Sequence, residues 1–207
     1  MSEKPRAIVF DLLTALLDSW TVWDRAAGSE ADGRRWRARY LALTYGCGAY
    51  RPYEDLVAEA AADAGLSPEA PARLHAAWDR LEPWPEVPEV LAALRARGIL
   101  LGVATNCSLP LGRRAAARCG VPFDAVVTSE EAGFYKPRPE PYRAVLAALG
   151  VEAEEALFVA GSAADVPGAA GVGLRVVWHN RVGLPPRPGA VPLREARRLD
   201  AALAGFL

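Results

Sequence analysis

Short apolar runs recur along this chain, and most are followed by a segment with helical periodicity. The runs are Ala7–Phe10 (AIVF), Ile99–Ala104 (ILLGVA), Ala125–Thr128 (AVVT), Ala156–Ala160 (ALFVA) and Arg175–Trp178 (RVVW). They favour Val and Ile and do not alternate with polar residues, as strands covered on both faces of a parallel sheet do. Between them, Pro88 opens EVLAALRARG and Gly98 can close it, and Pro110 and Gly120 bracket a second segment. A third runs from about Pro139 through YRAVLAALG to Gly150. Proline in the first turn and glycine past the last mark helix ends. The alternation predicts an α/β fold, a Rossmann-like, doubly wound parallel sheet.

Residues 19–85 break the alternation. WRARYLAL, YEDLVAEAAADAG and SPEAPARLHAAWDRL are helical in period, the last with Ser67 and Pro68 as expected cap and first helical residue. This stretch holds five of the six tryptophans and four of the six tyrosines. An all-helical insertion after the first strand would sit above the C-terminal edge of the sheet. Residues 1–18 and 86–207 therefore read as the core domain and 19–85 as a helical cap domain. The stretch RVGLPPRPGAVPLREARR reads as a loop entering a final helix.

Composition narrows the partners. At 207 residues the chain suits one core with an insertion, and 52% hydrophobic with 24% charged residues is globular. A formal net charge of −1 provides no long-range field for nucleic acid or an anionic membrane, so neither is an expected partner. GRRWRARY (33–40) then reads as one functional arginine among solvated ones. Cys47, Cys107 and Cys119 form no C-x-x-C pair and no disulfide framework, which points to a reducing compartment. The N-terminal apolar run is interrupted by Asp11 and Asp18 and lacks a cleavage site, so a soluble cytoplasmic protein is expected. Gly168, Gly171 and Gly173 precede a strand and form no dinucleotide motif.

Ligands of open α/β sheets bind at the carboxyl ends of the strands. The first strand delivers Asp11 there and the second Thr105 and Asn106. Lys136 follows the third, in GFYKP; Gly161 and Ser162 end the fourth, with Asp165 three residues on. Two carboxylates on one rim raise each other's proton affinity, and a lysine between them favours keeping both ionised. A carboxylate stripped of water is a workable nucleophile. Cys107 borders this group, but neither His75 nor His179 is placed by a motif to activate it, so it reads as a bystander.

The order FDLLT…ATN…YKP…AGSAAD resembles the haloacid dehalogenase-like hydrolase superfamily over essentially the whole chain. Trp36–Arg37 with Leu41, LEPWPEVPEVLAALRARG (81–98) and VVWHNR (176–181) are most similar to the 2-haloacid dehalogenases. The resemblance implies a metal-independent hydrolase acting on the carbon–halide bond of a small organic acid, with no cofactor, and a homodimer. Asp11 would displace halide to form an ester. Asp165 would help water attack that ester, releasing a 2-hydroxy acid of inverted configuration. Lys136 would charge-balance Asp11, and Arg37 would reach from the cap to the halide or the substrate carboxylate. Thr105, Asn106 and Tyr142 match positions lining the site. Leu13, Leu41, Tyr53 and Ser162 would complete the substrate pocket, Tyr53 as its aromatic wall.

The chain also departs from the patterns it resembles. Phosphatases of the superfamily carry D-x-D at the first strand and GD-x-x-x-D at the fourth, where Mg²⁺ is held; here those positions are Leu13 and Gly161. Losing an acid and a metal ligand disfavours phosphoryl transfer, whereas halide leaves without a proton. Mg²⁺ would matter only in the alternative of a phosphatase with an atypical acid. Dehalogenases carry D-x-Y-G-T and S-S-N-x-W-D; here DLLTA lacks the tyrosine and usual threonine, and AGSAAD has Ala164 for tryptophan. Thr14 is positioned to compensate from one residue away. These departures leave the substrate open between a small halo acid and a bulkier one, and the further alternative is a catalytically silent binding protein on the same fold.

Overall fold

The computed structural model describes residues 4–207. β1 (Ala7–Phe10) leads into α1 (Ser19–Ala27), α2 (Glu30–Gly46), α3 (Tyr53–Asp63) and α4 (Ala70–Ala76), followed by a short 3₁₀ turn. The chain then alternates through α5 (Val87–Ala96), β2 (Leu100–Thr105), α6 (Leu109–Ala117), β3 (Ala125–Thr128), α7 (Ser129–Ala132) and α8 (Pro139–Leu149). It ends with β4 (Ala156–Ala160), α9 (Asp165–Ala170), β5 (Arg175–His179), β6 (Arg194–Ala196) and α10 (Leu199–Ala202).

Among the described residues, six strands pair in parallel, in the order β3-β2-β1-β4-β5-β6. Alternate side chains of β1 to β5 feed two separate cores. Ile8, Phe10, Leu101, Val103, Leu157 and Val159 pack with α5, α6 and α10 on one face. Ala7, Val9, Phe158 and Val176 pack with α8 and α9 on the other. Burying each large side chain contributes roughly 1.5–3 kcal/mol, which is why unbroken apolar runs specify these strands. β1 lies between β2 and β4, so chain order reverses beside it. The crevice at the carboxyl ends of β1 and β4 is the switch point at which such sheets bind ligands.

Three expectations need correction. The Arg/Pro-rich stretch does not run straight into a helix: Arg194–Ala196 adds a sixth strand, pairing Val177 with Arg194 and His179 with Ala196. Backbone pairing to an open sheet edge makes this strand, so its polar side chains gave no signal. The fourth helix begins at Ala70, not Pro68; Ser67 instead accepts from the Glu69 amide at 3.3 Å in a turn before it. β2 is displaced by one residue and ends on Thr105.

The first two helices of the 19–85 segment start at side-chain caps. Asp18 accepts from the Thr21 amide at 3.1 Å and Ser29 from the Asp32 amide at 3.1 Å. α1 and α2 cross closely at Gly33, where a Cβ would strike the backbone and carboxylate of Asp24. An aromatic chain continues from there: Trp36 on Trp23 at 4.7 Å, Trp23 on Tyr40 at 5.4 Å, Tyr40 on Tyr53 at 5.5 Å. Polar tips tie this segment to the loop after β2 and to α6, with the Tyr40 hydroxyl donating to Asn106 O at 3.0 Å and Trp78 Nε1 to Leu111 O at 2.9 Å. Among the described residues no helix is long and apolar enough to cross a membrane.

Candidate active site

Asp11 is the first residue past β1, and its amide donates to Val159 O at 3.0 Å, which fixes it to the neighbouring strand. The loop that follows turns back on its carboxylate. Asp11 Oδ2 accepts from the Thr14 amide at 2.9 Å, the Thr14 hydroxyl at 2.6 Å and the Ala15 amide at 3.1 Å. Thr14 thus supplies the hydroxyl that the usual threonine position, Ala15, lacks. Asp11 Oδ1 has a different partner, the Lys136 ammonium at 2.8 Å.

Lys136 Nζ also reaches Asp165 Oδ2 at 3.2 Å, and Tyr142 donates to Asp165 Oδ1 at 2.7 Å. Asp165 sits at the start of α9, its amide donating to Ser162 O at 3.2 Å and Ser162 Oγ at 3.3 Å. Asp11 is 6% exposed, Lys136 2% and Asp165 2%, so the three charges interact at low dielectric.

The two carboxylates are not equivalent. Burial works to raise Asp11, but Lys136 and the Thr14 donors outweigh it and hold the group below the usual carboxylate range. Asp165 is shifted upwards, chiefly by burial and further by Asp11, against the pull of Lys136 and Tyr142. Burial disfavours the Lys136 charge, yet both aspartates hold its pKa above the ordinary lysine value. Sequence reasoning expected Lys136 to favour keeping both acids ionised, but the two shift in opposite directions. Asp11 is readied as an anion and Asp165 as a group able to take up a proton, a division suited to a nucleophile and a general base.

The opposite wall comes from α1 and α2. Arg37 is buried, donates through Nη2 to Ser19 Oγ at 2.9 Å, and lies 4.1 Å over the Trp20 ring. Its Nη1 is buried with no hydrogen-bond partner among the described residues. Arg37, Leu41, Tyr40, Tyr45 and Trp20 line one cleft together with Asp11, Leu13, Lys136, Ser162 and Asp165. That cleft encloses about 70 Å³.

Several sequence candidates sit elsewhere. Tyr53 does not line this cleft; it packs behind Tyr40 and faces a separate apolar pocket with Trp78 and Leu111. Its position at the start of α3 turns the ring into the aromatic chain. Tyr142 is fully buried beneath Asp165 and holds that carboxylate instead of lining the substrate wall. The Thr105 hydroxyl lies 3.7 Å from Cys107 Sγ and does not face the cleft, because the last residue of β2 shares the inward face of Val103. Asn106 lines the cleft, but its amide is engaged by the Lys136 backbone: Nδ2 donates to Lys136 O at 2.9 Å and Oδ1 accepts from Lys136 N at 2.8 Å. It therefore sets the lysine loop. Burial pushes the Cys107 thiol up to about 12, consistent with an inert side chain.

Sequence reasoning missed Trp20, Tyr40, Tyr45 and Leu184, which also line the cleft. Tyr45 was accessible, since Arg37, Leu41 and Tyr45 follow at i, i+4 and i+8 on one helix. No spacing points to Trp20, which depends on how α1 crosses α2.

The divalent cation used by phosphatases of this fold does not fit these residues. A Cβ at Gly161 would collide with Thr14 Oγ1, Ala15 N and Asp11 Oδ2, so this backbone leaves no room for a ligating side chain there. The Leu13 side chain offers no ligand, and Lys136 already bridges the two carboxylates with its own positive charge. Among the described residues no group of three or more His, Cys, Asp or Glu is placed to hold a metal ion.

Comparison with known proteins finds both dehalogenases and phosphatases of one family. The family model for haloacid dehalogenase-like hydrolases matches residues 5–173. The chain is 32% identical to haloacetate dehalogenase H-2 of Moraxella sp., over 87% of this chain and 88% of the relative. It is 36% identical to a phosphoserine phosphatase of Thermus thermophilus, over 82% and 72%. A solved L-2-haloacid dehalogenase superposes with a TM-score of 0.88 at 28% identity, covering 98% of this chain and 99% of that one. The chain belongs to the haloacid dehalogenase-like hydrolases.

Proposed function

We propose that the protein hydrolyses the carbon–halogen bond of 2-halo acids, without a metal, through an ester on Asp11. One observation carries this reading: Asp11 is a buried, Lys136-paired carboxylate with Leu13 where an acid would stand and Gly161 closed to a metal ligand. Phosphoryl transfer to water uses a proton for the leaving alkoxide and a cation for the phosphoryl oxygens. Halide departure uses neither.

Asp11 Oδ2 is occupied by three donors, so Oδ1 is the oxygen free to attack, with Lys136 orienting it. Oδ1 forms a bond to the halogen-bearing carbon as the halide leaves from the opposite side, inverting that centre. Arg37, with Nη1 unpartnered, receives the halide or the substrate carboxylate. In the second half, water attacks Cγ of Asp11 and gives a proton to Asp165. The negative charge that develops on Oδ2 falls within the Thr14 and Ala15 donors, which act as an oxyanion hole. Collapse breaks the Cγ–Oδ1 bond, and the departing alkoxide takes the remaining proton of the attacking water, which releases the 2-hydroxy acid and restores the Asp11 carboxylate. With the proton on Asp165 passed to solvent, one substrate and one water give one hydroxy acid, one halide and one proton. Residues 19–85 act as a cap domain that carries Arg37 and excludes bulk water from the ester.

Halide release from 2-bromopropanoate in the presence of a chelator tests the reading. Turnover of an aryl phosphate that requires Mg²⁺, with no halide from any 2-halo acid, contradicts it. Thr14→Ala removes one donor of the oxyanion hole and is expected to lower kcat by about 100-fold. The loss should fall on ester hydrolysis, so a halide burst of one equivalent precedes the slow phase. Thr14→Ser should restore most of the rate.

A further inference from the structure

The catalytic cleft is small, but it does not end at its own walls. At about 70 Å³ it holds less than the roughly 150 Å³ cavity that accommodates benzene. Leu41, Tyr45, Ser162, Ala164 and Leu184 are shared with an adjoining trough of about 430 Å³, within the usual size range of small-molecule sites.

The trough has two apolar sides. On α2, Ala38, Leu41, Ala42 and Tyr45 stand at i, i+3, i+4 and i+7 and form a single stripe. This stripe is distinct from the face that buries Trp36 and Tyr40 in the aromatic chain. Opposite it are Ala163 and Ala164 after β4, and Leu184, Pro185 and Pro186 from the loop after β5. The charged residue among the lining is Arg187, whose guanidinium lies 4.9 Å over the Tyr45 ring and so braces the ring that divides trough from cleft. An apolar helical stripe left half exposed, and continuous with a buried reaction centre, is suited to a ligand that enters with the reacting group.

We infer that the trough binds the substituent on the reacting carbon, making this an enzyme for 2-halo acids with an extended alkyl chain rather than for the shortest members. The inference rests on the dehalogenase reading above. Arg37 and Lys136 attend the polar groups of such a substrate, and the remaining apolar chain has a continuous apolar path past Ala164. Each methylene buried along that path should raise kcat/KM by about fourfold until the trough is filled.

The test is halide release from 2-bromopropanoate, 2-bromohexanoate and 2-bromooctanoate by the wild type and by Ala42→Trp. Ala42 lines the trough but not the cleft, and it is exposed on a helix, so the variant should fold. The expected result is a kcat/KM that climbs with chain length in the wild type. Ala42→Trp should keep the 2-bromopropanoate rate and lose at least tenfold on the octanoate. A flat or falling wild-type series, with 2-bromopropanoate still turned over, overturns the trough assignment and leaves the dehalogenase reading standing. No halide from any of the three acids overturns both. A change in oligomeric state by Ala42→Trp with an unaltered chain-length profile assigns the trough to contact between copies of the chain, and also overturns the inference.

Discussion

Asp11→Asn should reduce halide release by about 10⁴-fold or more while leaving the protein folded. An amide cannot displace halide, and loss of a nucleophile removes the covalent route altogether. Folding survives because the substitution removes one of two carboxylates that share a single lysine: Lys136 and Asp165 remain as a neutral pair at 3.2 Å. Near-native thermal unfolding together with lost turnover is the expected combination. Retained activity in Asp11→Asn would contradict the ester mechanism. Loss of folding would mean that the carboxylate is mainly structural.

Lys136→Met should do the reverse to stability. It leaves Asp11 and Asp165 buried together without their cation, and removal of one partner from a buried ion pair costs about 3–5 kcal/mol. For a chain of this size that corresponds to a fall in Tm of roughly 6–20 °C. The pH dependence gives the signature. In the wild type, the depressed Asp11 adds stability above its unfolded pKa, and this is lost as pH falls through the lower folded value. The raised Lys136 adds stability at and below its ordinary pKa, lost only as pH rises through the higher folded value. In the variant both carboxyls should titrate above their unfolded values, so the folded state binds extra protons and gains stability as pH falls. The Tm gap between the two proteins should therefore narrow from pH 8 to pH 5. A gap that stays constant would show that Lys136 acts through packing, not charge. Activity should be absent throughout.

The strands and their carboxyl-end residues were legible because burial on both faces leaves unbroken apolar runs and because topology forces functional groups to the ends of those runs. Asp11, Lys136 and Asp165 follow from that logic and do meet, within 3.2 Å of the lysine nitrogen. Side-chain direction was harder to read. Thr105 ends a strand beside Asn106, yet strand alternation turns its hydroxyl inward to Cys107. Tyr53 carries an aromatic ring suited to a pocket wall, but its place at the start of α3 commits it to Tyr40. β6 was invisible because pairing at a sheet edge, not hydrophobicity, creates it.

The altered motifs are where sequence and structure inform each other most. DLLTA reads as an eroded loop until its geometry shows Thr14 bonding Asp11 through both amide and hydroxyl. That same hydroxyl occupies the space a side chain at 161 would need, so Thr14 and Gly161 form one arrangement. AGSAAD likewise trades bulk for space, since Ala163 and Ala164 border the trough next to the cleft.

The ester proposed on Asp11 would leave an isotopic trace in the protein. A single turnover in ¹⁸O-water, with enzyme in excess over a 2-bromo acid, followed by peptide mass spectrometry, tests it most directly. Water attacking Cγ leaves its oxygen in the carboxylate, so the account predicts one ¹⁸O in the peptide containing Asp11 and an unlabelled new hydroxyl in the product. Label in the product hydroxyl with none in Asp11 would mean that water displaces halide directly, and would contradict it.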